Sequence, residues 1–244
     1  MRRLWISALL ALAVALAVPA AALAAPAGPA ARTGLTAAGQ TLRLGVTDLS
    51  VRQLQRRLAA LKYYPGPIDG LFGPDTLEAV WAFQLAQGLP GEDYVSSAME
   101  WALYHPRAPR VLDANAGPNR IEVNLTTEVL VLYHNNQIEL ISHVSSGGGY
   151  LYPCPGDPAE MCGPAYTPTG VFHTVVFMPG WVAVPLGYMY NPVFFIGTAY
   201  AIHGDTYVPL QPVSHGCVRI PMDIAAFFHT LVRVPGEPVI VSYG

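Results

Sequence analysis

The apolar positions change period once along the chain. From Ser50 onward, Val51, Leu54, Leu58 and Leu61 recur at helical spacing. They predict a first helix that Asp48 or Ser50 can cap. The stretch 63–73, YYPGPIDGLFG, is too rich in Pro and Gly to continue it and predicts an ordered loop. Pro74 then stands where a first helical residue lacks nothing by having no N–H. Asp75 and Glu78 fall in its first turn, and Leu77, Val80, Trp81 and Leu85 form the apolar side of a second helix that Gly88 ends. A shorter third helix over 95–104 completes a small three-helix all-α bundle, assigned to residues 42–104.

Residues 105–118, with Pro106, Pro109, Gly117 and Pro118, read as a linker. From Asn119 the period shortens to that of strands. RIEVNL and VLVLYH bracket Thr126, Thr127 and Glu128 as a hairpin, and QIELISHVSS runs into the triplet Gly147–Gly148–Gly149. GVFHTVVF, YAIHG and PVIVSY are further strands, and only 222–232 is helical in pattern. Residues 119–244 are therefore expected to be a mainly β domain, a sandwich or a partly closed barrel.

Composition narrows the setting. The chain is 52% hydrophobic, which predicts globular cores. Its net charge of −3, with no clustered basic patch, argues against a nucleic-acid partner. At the N-terminus, Arg2 and Arg3 precede an unbroken apolar run over 4–18, followed by Ala22-Leu23-Ala24. That order is the secretory pattern, with residues 1–24 as the signal peptide and 25–41 as a flexible, Ala- and Pro-rich tether. The rival reading is an uncleaved anchor, since no charge falls between Leu4 and Ala31. A membrane contact is expected only in that case.

Export permits disulfides, and the cysteines number three. Cys154 and Cys162 flank a Pro-rich insertion after the Gly triplet and are expected to pair, stiffening a loop too polar to pack alone. Cys217 is then left as a reactive thiol in SHGCVRI. A thiol becomes a nucleophile when a base takes its proton. His203 and His215 are both candidates, and His203 ends an apolar strand fourteen positions earlier. Its tautomer needs an acceptor, either the carbonyl of Gly204 or the carboxylate of Asp205. Gly216 permits a sharp turn whose amides, with that of Cys217, can face an oxyanion. Against this, Cys217 can be a small buried hydrophobe, but Ser214, His215, Gly216 and Arg219 make its surroundings polar. A zinc site from His203, His215 and Cys217 would have only three ligands without structural-zinc spacing, so no metal is expected. Among nearby aromatic residues, Tyr188 and Tyr190, with Met189 between them in a Gly- and Asn-containing loop, are candidates to line a cleft.

AIHG followed by SHGCVRI closely resembles the signature of the L,D-transpeptidase catalytic domain, a family that acts on bacterial peptidoglycan. IEVNLTTEVLVLYHNNQ resembles its opening hairpin, and TPTGVF, residues 167–172, its Thr-Pro-Thr-Gly strand entry. The helical block resembles the three-helix peptidoglycan-binding domain in its Leu-Gln pair, its Asp-Gly-x-Phe-Gly turn and its Ala-Val-x-x-Phe-Gln helix. The resemblance implies a β-sandwich-like catalytic domain with Cys217 as nucleophile, His203 as base and Gly204 as the residue whose carbonyl orients it. Ser214, His215 and Gly216 match the oxyanion and substrate-binding turn, and Arg219 a basic position supporting that turn or a substrate carboxylate.

The implied reaction needs no cofactor. Cys217 takes the acyl group of a stem tetrapeptide at its third residue, D-alanine leaves, and an amine of a neighbouring stem resolves the thioester into a 3→3 cross-link. Water as acceptor would give an L,D-carboxypeptidase, and a protein amine would attach proteins to the wall. A wall-binding module without a reactive thiol is the reading of another class. The Cys154–Cys162 insertion departs from many family members and bears on donor preference. The expected location is outside the cell, in the bacterial envelope.

Overall fold

The structure, a computed structural model, describes residues 41–244; the signal segment 1–24 and all but the last residue of the tether 25–41 lie outside the described residues. Three helices come first: α1 (Leu49–Ala60), α2 (Pro74–Ala86) and α3 (Ser97–Tyr104). Asp48 caps α1 by accepting from the Ser50 amide at 2.7 Å. Pro74 occupies the first turn of α2, and Ser96 caps α3 by accepting from Met99 N at 3.3 Å. The Pro/Gly-rich loop is ordered by one buried side chain. Gln55 accepts from Gly70 N at 2.9 Å and donates to Leu71 O at 3.0 Å and Thr76 Oγ1 at 3.1 Å. A buried amide so fully used fixes a loop that has little apolar surface of its own.

The β half begins with β1 (Arg120–Asn124), β2 (Val129–His134) and β3 (Gln137–His143), continues with β4 (Leu151–Cys154), β5 (Asp157–Pro164), β6 (Gly170–His173), β7 (Val176–Phe177), β8 (Trp181–Val184), β9 (Gly187–Ile196), β10 (Tyr200–Gly204) and β11 (Val218–Ile220), and closes with α4 (Met222–Leu231) and β12 (Pro238–Ser242). One sheet has the order β3-β2-β1-β12-β6; the other runs β11-β10-β9-β7, with β8 also on β9. Two pairings are parallel, β1 with β12 and β10 with β11. Ile121, Val123, Leu130 and Leu132 of the first sheet meet Val193, Phe195, Ile202 and Val218 of the second, with Ile224 and Phe228 of α4, in one core.

The opposite face of the first sheet is covered as well. Val129, Val131, Tyr133 and Ile141 share a core with Leu54, Leu58, Phe72 and Phe83 of the helical block. That is why β2 reads as an unbroken apolar run: alternate residues face two different cores. The contact is also polar. Ile141 N donates to Lys62 O at 2.9 Å, Lys62 pairs with Glu139 at 3.5 Å, and the Trp81 ring meets His143 edge-on at 5.7 Å. The segment 105–118 has no regular element, yet Gln87 and Arg107 exchange two hydrogen bonds of 2.8 and 2.9 Å along it.

Three expectations are corrected. GVFHTVVF is not one strand. Buried Thr174 donates to Arg233 O at 2.6 Å and accepts from Glu237 N at 2.8 Å, and the chain crosses there from β6 in one sheet to β7 in the other. The Pro-rich insertion is not a loop but the hairpin β4–β5, a separate two-stranded sheet. Cys154 and Cys162 are joined across it. Closing a ring of this size restricts the unfolded chain by about 2–3 kcal/mol. Tyr188, Met189 and Tyr190 lie in strand β9 rather than in a loop, paired with β8.

Candidate active site

Parallel pairing of β10 and β11 builds the site. His203 stands opposite Arg219, and Ile202 opposite Val218. Register partners share a face, as do residues two apart, so His203, Arg219 and Cys217 are turned to the same side. All three line a cleft of about 480 Å³. His203 is buried at 4% exposure, and its Nδ1 lies 3.0 Å from Gly204 O. A carbonyl can only accept, so Nδ1 carries the proton and Nε2 the lone pair. Of the two acceptors expected for this ring, the structure selects Gly204. Asp205 instead holds Arg219, at 3.2 Å. The guanidinium also donates to Tyr207 O at 3.4 Å, so Arg219 braces the chain around the turn.

The turn itself is fixed by Ser214. Its buried hydroxyl donates to Cys217 O at 2.5 Å and accepts from Gly216 N at 3.0 Å. Gly216 has φ +130°, and a Cβ there would meet Tyr166 O and a Tyr200 ring carbon at 2.7 Å each. Only glycine fits. The Gly216 amide, one of the two expected at the oxyanion, is bonded to Ser214 and holds the turn. The Cys217 thiol is half-buried, 3.7 Å from Ala199 O and 4.0 Å from Met189 Sδ.

Burial sets the charge state. It pushes the Cys217 thiol up, with Ala201 and Arg219 offsetting part of this. It pushes the His203 imidazole down against the opposing pull of the Gly204 carbonyl. Both groups therefore rest neutral at neutral pH. His215 is also held below its ordinary value, by burial first and then by Arg219.

Of the residues expected at the site, Cys217, His203, Ser214, His215 and Arg219 line the cleft. Tyr190 does not belong to that lining; it packs under Gly204, whose added Cβ would lie 3.1 Å from its ring, and against Trp181 at 5.3 Å. Its neighbours Tyr188 and Met189 do line the cleft. Sequence reasoning missed Tyr152 and Pro155 of the disulfide hairpin, and Ala199. The available signal was an aromatic residue two positions before Cys154. Among the described residues, the metal-capable side chains converging within 4.8 Å are Asp75, Glu78 and Asp223, none of which lines the cleft.

Comparison with known proteins bears on this geometry. The L,D-transpeptidase catalytic domain matches residues 118–241, and a peptidoglycan binding domain matches residues 47–93. A crystal structure of an L,D-transpeptidase from Xylanimonas cellulosilytica is similar at 30% identity and TM-score 0.77, over 85% of this chain and 100% of that one. One from Stackebrandtia nassauensis is 18% identical at TM-score 0.45, over 82% of this chain and 94% of that one. No curated protein matches. With the catalytic-domain match spanning half of its length, and a relative at 30% identity covered from end to end, this chain belongs to the L,D-transpeptidase catalytic domain family and is an enzyme of that family acting on peptidoglycan.

Proposed function

We propose that the enzyme forms 3→3 peptidoglycan cross-links through a thioester on Cys217. The thiol attacks the carbonyl of the third residue of a stem tetrapeptide while His203 Nε2 takes its proton. The C–N bond to the terminal D-alanine then breaks, and the His203 proton goes to the departing amine. The amine of a second stem attacks the thioester, loses a proton to His203 and restores the thiol. The amide of Cys217 faces the oxyanion in each half-reaction. The protein works outside the cell, with the helical block holding it on the polymer and raising the local concentration of stems.

The observation that carries this reading is the His203 ring, fixed by Gly204 O on one nitrogen and lining the same cleft as the only free thiol of the chain. The test is incubation with a disaccharide tetrapeptide, with and without an acceptor stem, for the native chain and Cys217→Ala. A cross-linked dimer made only by the native chain supports the proposal. Tripeptide and D-alanine without dimer would make the enzyme an L,D-carboxypeptidase. Transfer only to a protein amine would make it a protein-attaching enzyme.

A further inference from the structure

The hairpin β4–β5 has no place in the reaction described so far, yet it reaches the cleft. It is hydrogen-bonded to neither large sheet. Its outer residues are open to solvent, Leu151 at 65% and Met161 at 50% exposure. A two-stranded hairpin with so little buried surface does not hold its shape in water without help. Here the help comes from both ends. The tip is closed by Cys154–Cys162. The base is tied to the turn before Cys217: Ser214 N donates to Ser146 O at 2.9 Å, Gly148 N to Ser214 O at 3.0 Å, and the Tyr150 hydroxyl to Val213 O at 3.1 Å.

Between base and tip, two rings face one histidine. Tyr150 and Tyr152 meet the His215 ring edge-on, with centroids 5.4 and 4.8 Å away and interplanar angles of 75° and 79°. Such edge-to-face contacts are favourable and directional. Tyr152 and Pro155 then continue as one wall of the cleft; Leu186 and Tyr188, from the β8–β9 hairpin, also line it. The Ser214 hydroxyl holds the backbone of this turn at Gly216 and Cys217, and the His215 side chain is held by the two tyrosine rings.

We infer that the disulfide-closed hairpin is a positioning element for the reaction: Tyr152, backed by Tyr150, clamps the His215 ring, and the staple keeps that clamp in place as substrate enters. Tyr152 is a positioning residue, acting through His215 on the turn that carries Cys217. The inference rests on the reading of Cys217 as nucleophile. It concerns a ring contact, so the aromatic face of Tyr152 matters and its hydroxyl does not.

The experiment uses the full chain with a disaccharide tetrapeptide donor, and compares Tyr152→Ala, Tyr152→Phe and the double variant Cys154→Ser/Cys162→Ser. His215 is followed by NMR of ¹³C-labelled histidine, and folding by thermal melting. Tyr152→Ala is expected to lower kcat at least tenfold with a smaller change in KM, and to broaden or move the His215 signal. Tyr152→Phe restores both to within about twofold. The stapleless variant shifts the same signal, and adding Tyr152→Ala to it costs less than in the native background. Unchanged kcat and an unmoved His215 signal in Tyr152→Ala would overturn the inference. So would equal losses in Tyr152→Phe and Tyr152→Ala. Cys217→Ala run in parallel separates the two readings: if it stays active, the nucleophile assignment fails whatever Tyr152 does.

Discussion

Replacing Glu78 by Gln should change how stability depends on pH. Glu78 stands on α2, Asp75 one turn before it, and Asp223 faces them from the first turn of α4, with carboxylate oxygens within 4.8 Å of one another. Burial is the largest influence on Glu78, and the charges of Asp223 and Asp75 add to it, raising it from 4.5 to about 8. The folded protein therefore keeps a proton that the unfolded chain releases above pH 4.5. The contribution of Glu78 to stability must fall as pH rises from 4.5 to about 8 and level off beyond. At about 1.4 kcal/mol per pH unit the ceiling is roughly 5 kcal/mol. Glu78 is only half-buried, so solvent screening brings this to about 2 kcal/mol. In a chain of this size that corresponds to about 4–8 °C in Tm. Melting of the native chain and Glu78→Gln from pH 5 to pH 9 measures it. The variant should match the native chain at pH 5 and exceed it by that amount at pH 8. Melting curves that run parallel across the whole range would show that the ionised carboxylate carries no penalty at this interface.

Other outcomes follow from single residues. Burial lowers His143 from 6.5 to about 4, so stability should also drop as pH falls through that window; His143→Gln should remove this acid limb in melts from pH 7 to pH 4. His203→Gln should lower kcat/KM by about 10²–10⁴-fold without loss of fold, and in the native enzyme the acid limb of kcat/KM should lie below pH 6.5 because the folded imidazole titrates below that value. Alkylation of Cys217 in the free enzyme, followed by mass, should rise with a midpoint above pH 9, as burial requires. Gly216→Ala should lose activity and roughly 1–3 kcal/mol of stability, since its φ of +130° and its contact with Tyr166 O leave no room for a Cβ.

The elements differ in how much of them is legible in the sequence. The helical block was legible because each of its devices is local: Pro74 at a helix start, the Pro/Gly loop, and apolar residues on one face. That His203 and Cys217 share one cleft was legible through the spacing of the two short motifs that carry them. The choice of Gly204 over Asp205 came only from the family resemblance; the residues alone left both open, because the outcome depends on Arg219, brought alongside by β11, taking the carboxylate. The β4–β5 hairpin was hidden by Pro153, Pro155 and Gly156, which break the two-residue period that marks a strand. Tyr190 was taken for a cleft residue because its loop-like neighbours Gly187 and Asn191 masked a strand. The run VLVLYH was read only as a hairpin strand, because nothing local could say that the helical block covers its second face.

That cover reaches the framework of the cleft. Trp81 of α2 meets His143, and His143 Nε2 in turn lies 3.1 Å from Val208 O, in the segment that joins His203 to Ser214. The helical block therefore packs on the same framework that holds the cleft.

The acyl group proposed on Cys217 is directly measurable. The most direct measurement is the intact mass of the full chain, quenched in acid during turnover of a disaccharide tetrapeptide and digested to locate any adduct. One adduct is expected, equal to the donor less D-alanine, on Cys217, discharged by an acceptor amine and absent from Cys217→Ala. Product formed by Cys217→Ala, or an adduct on another residue, would contradict it.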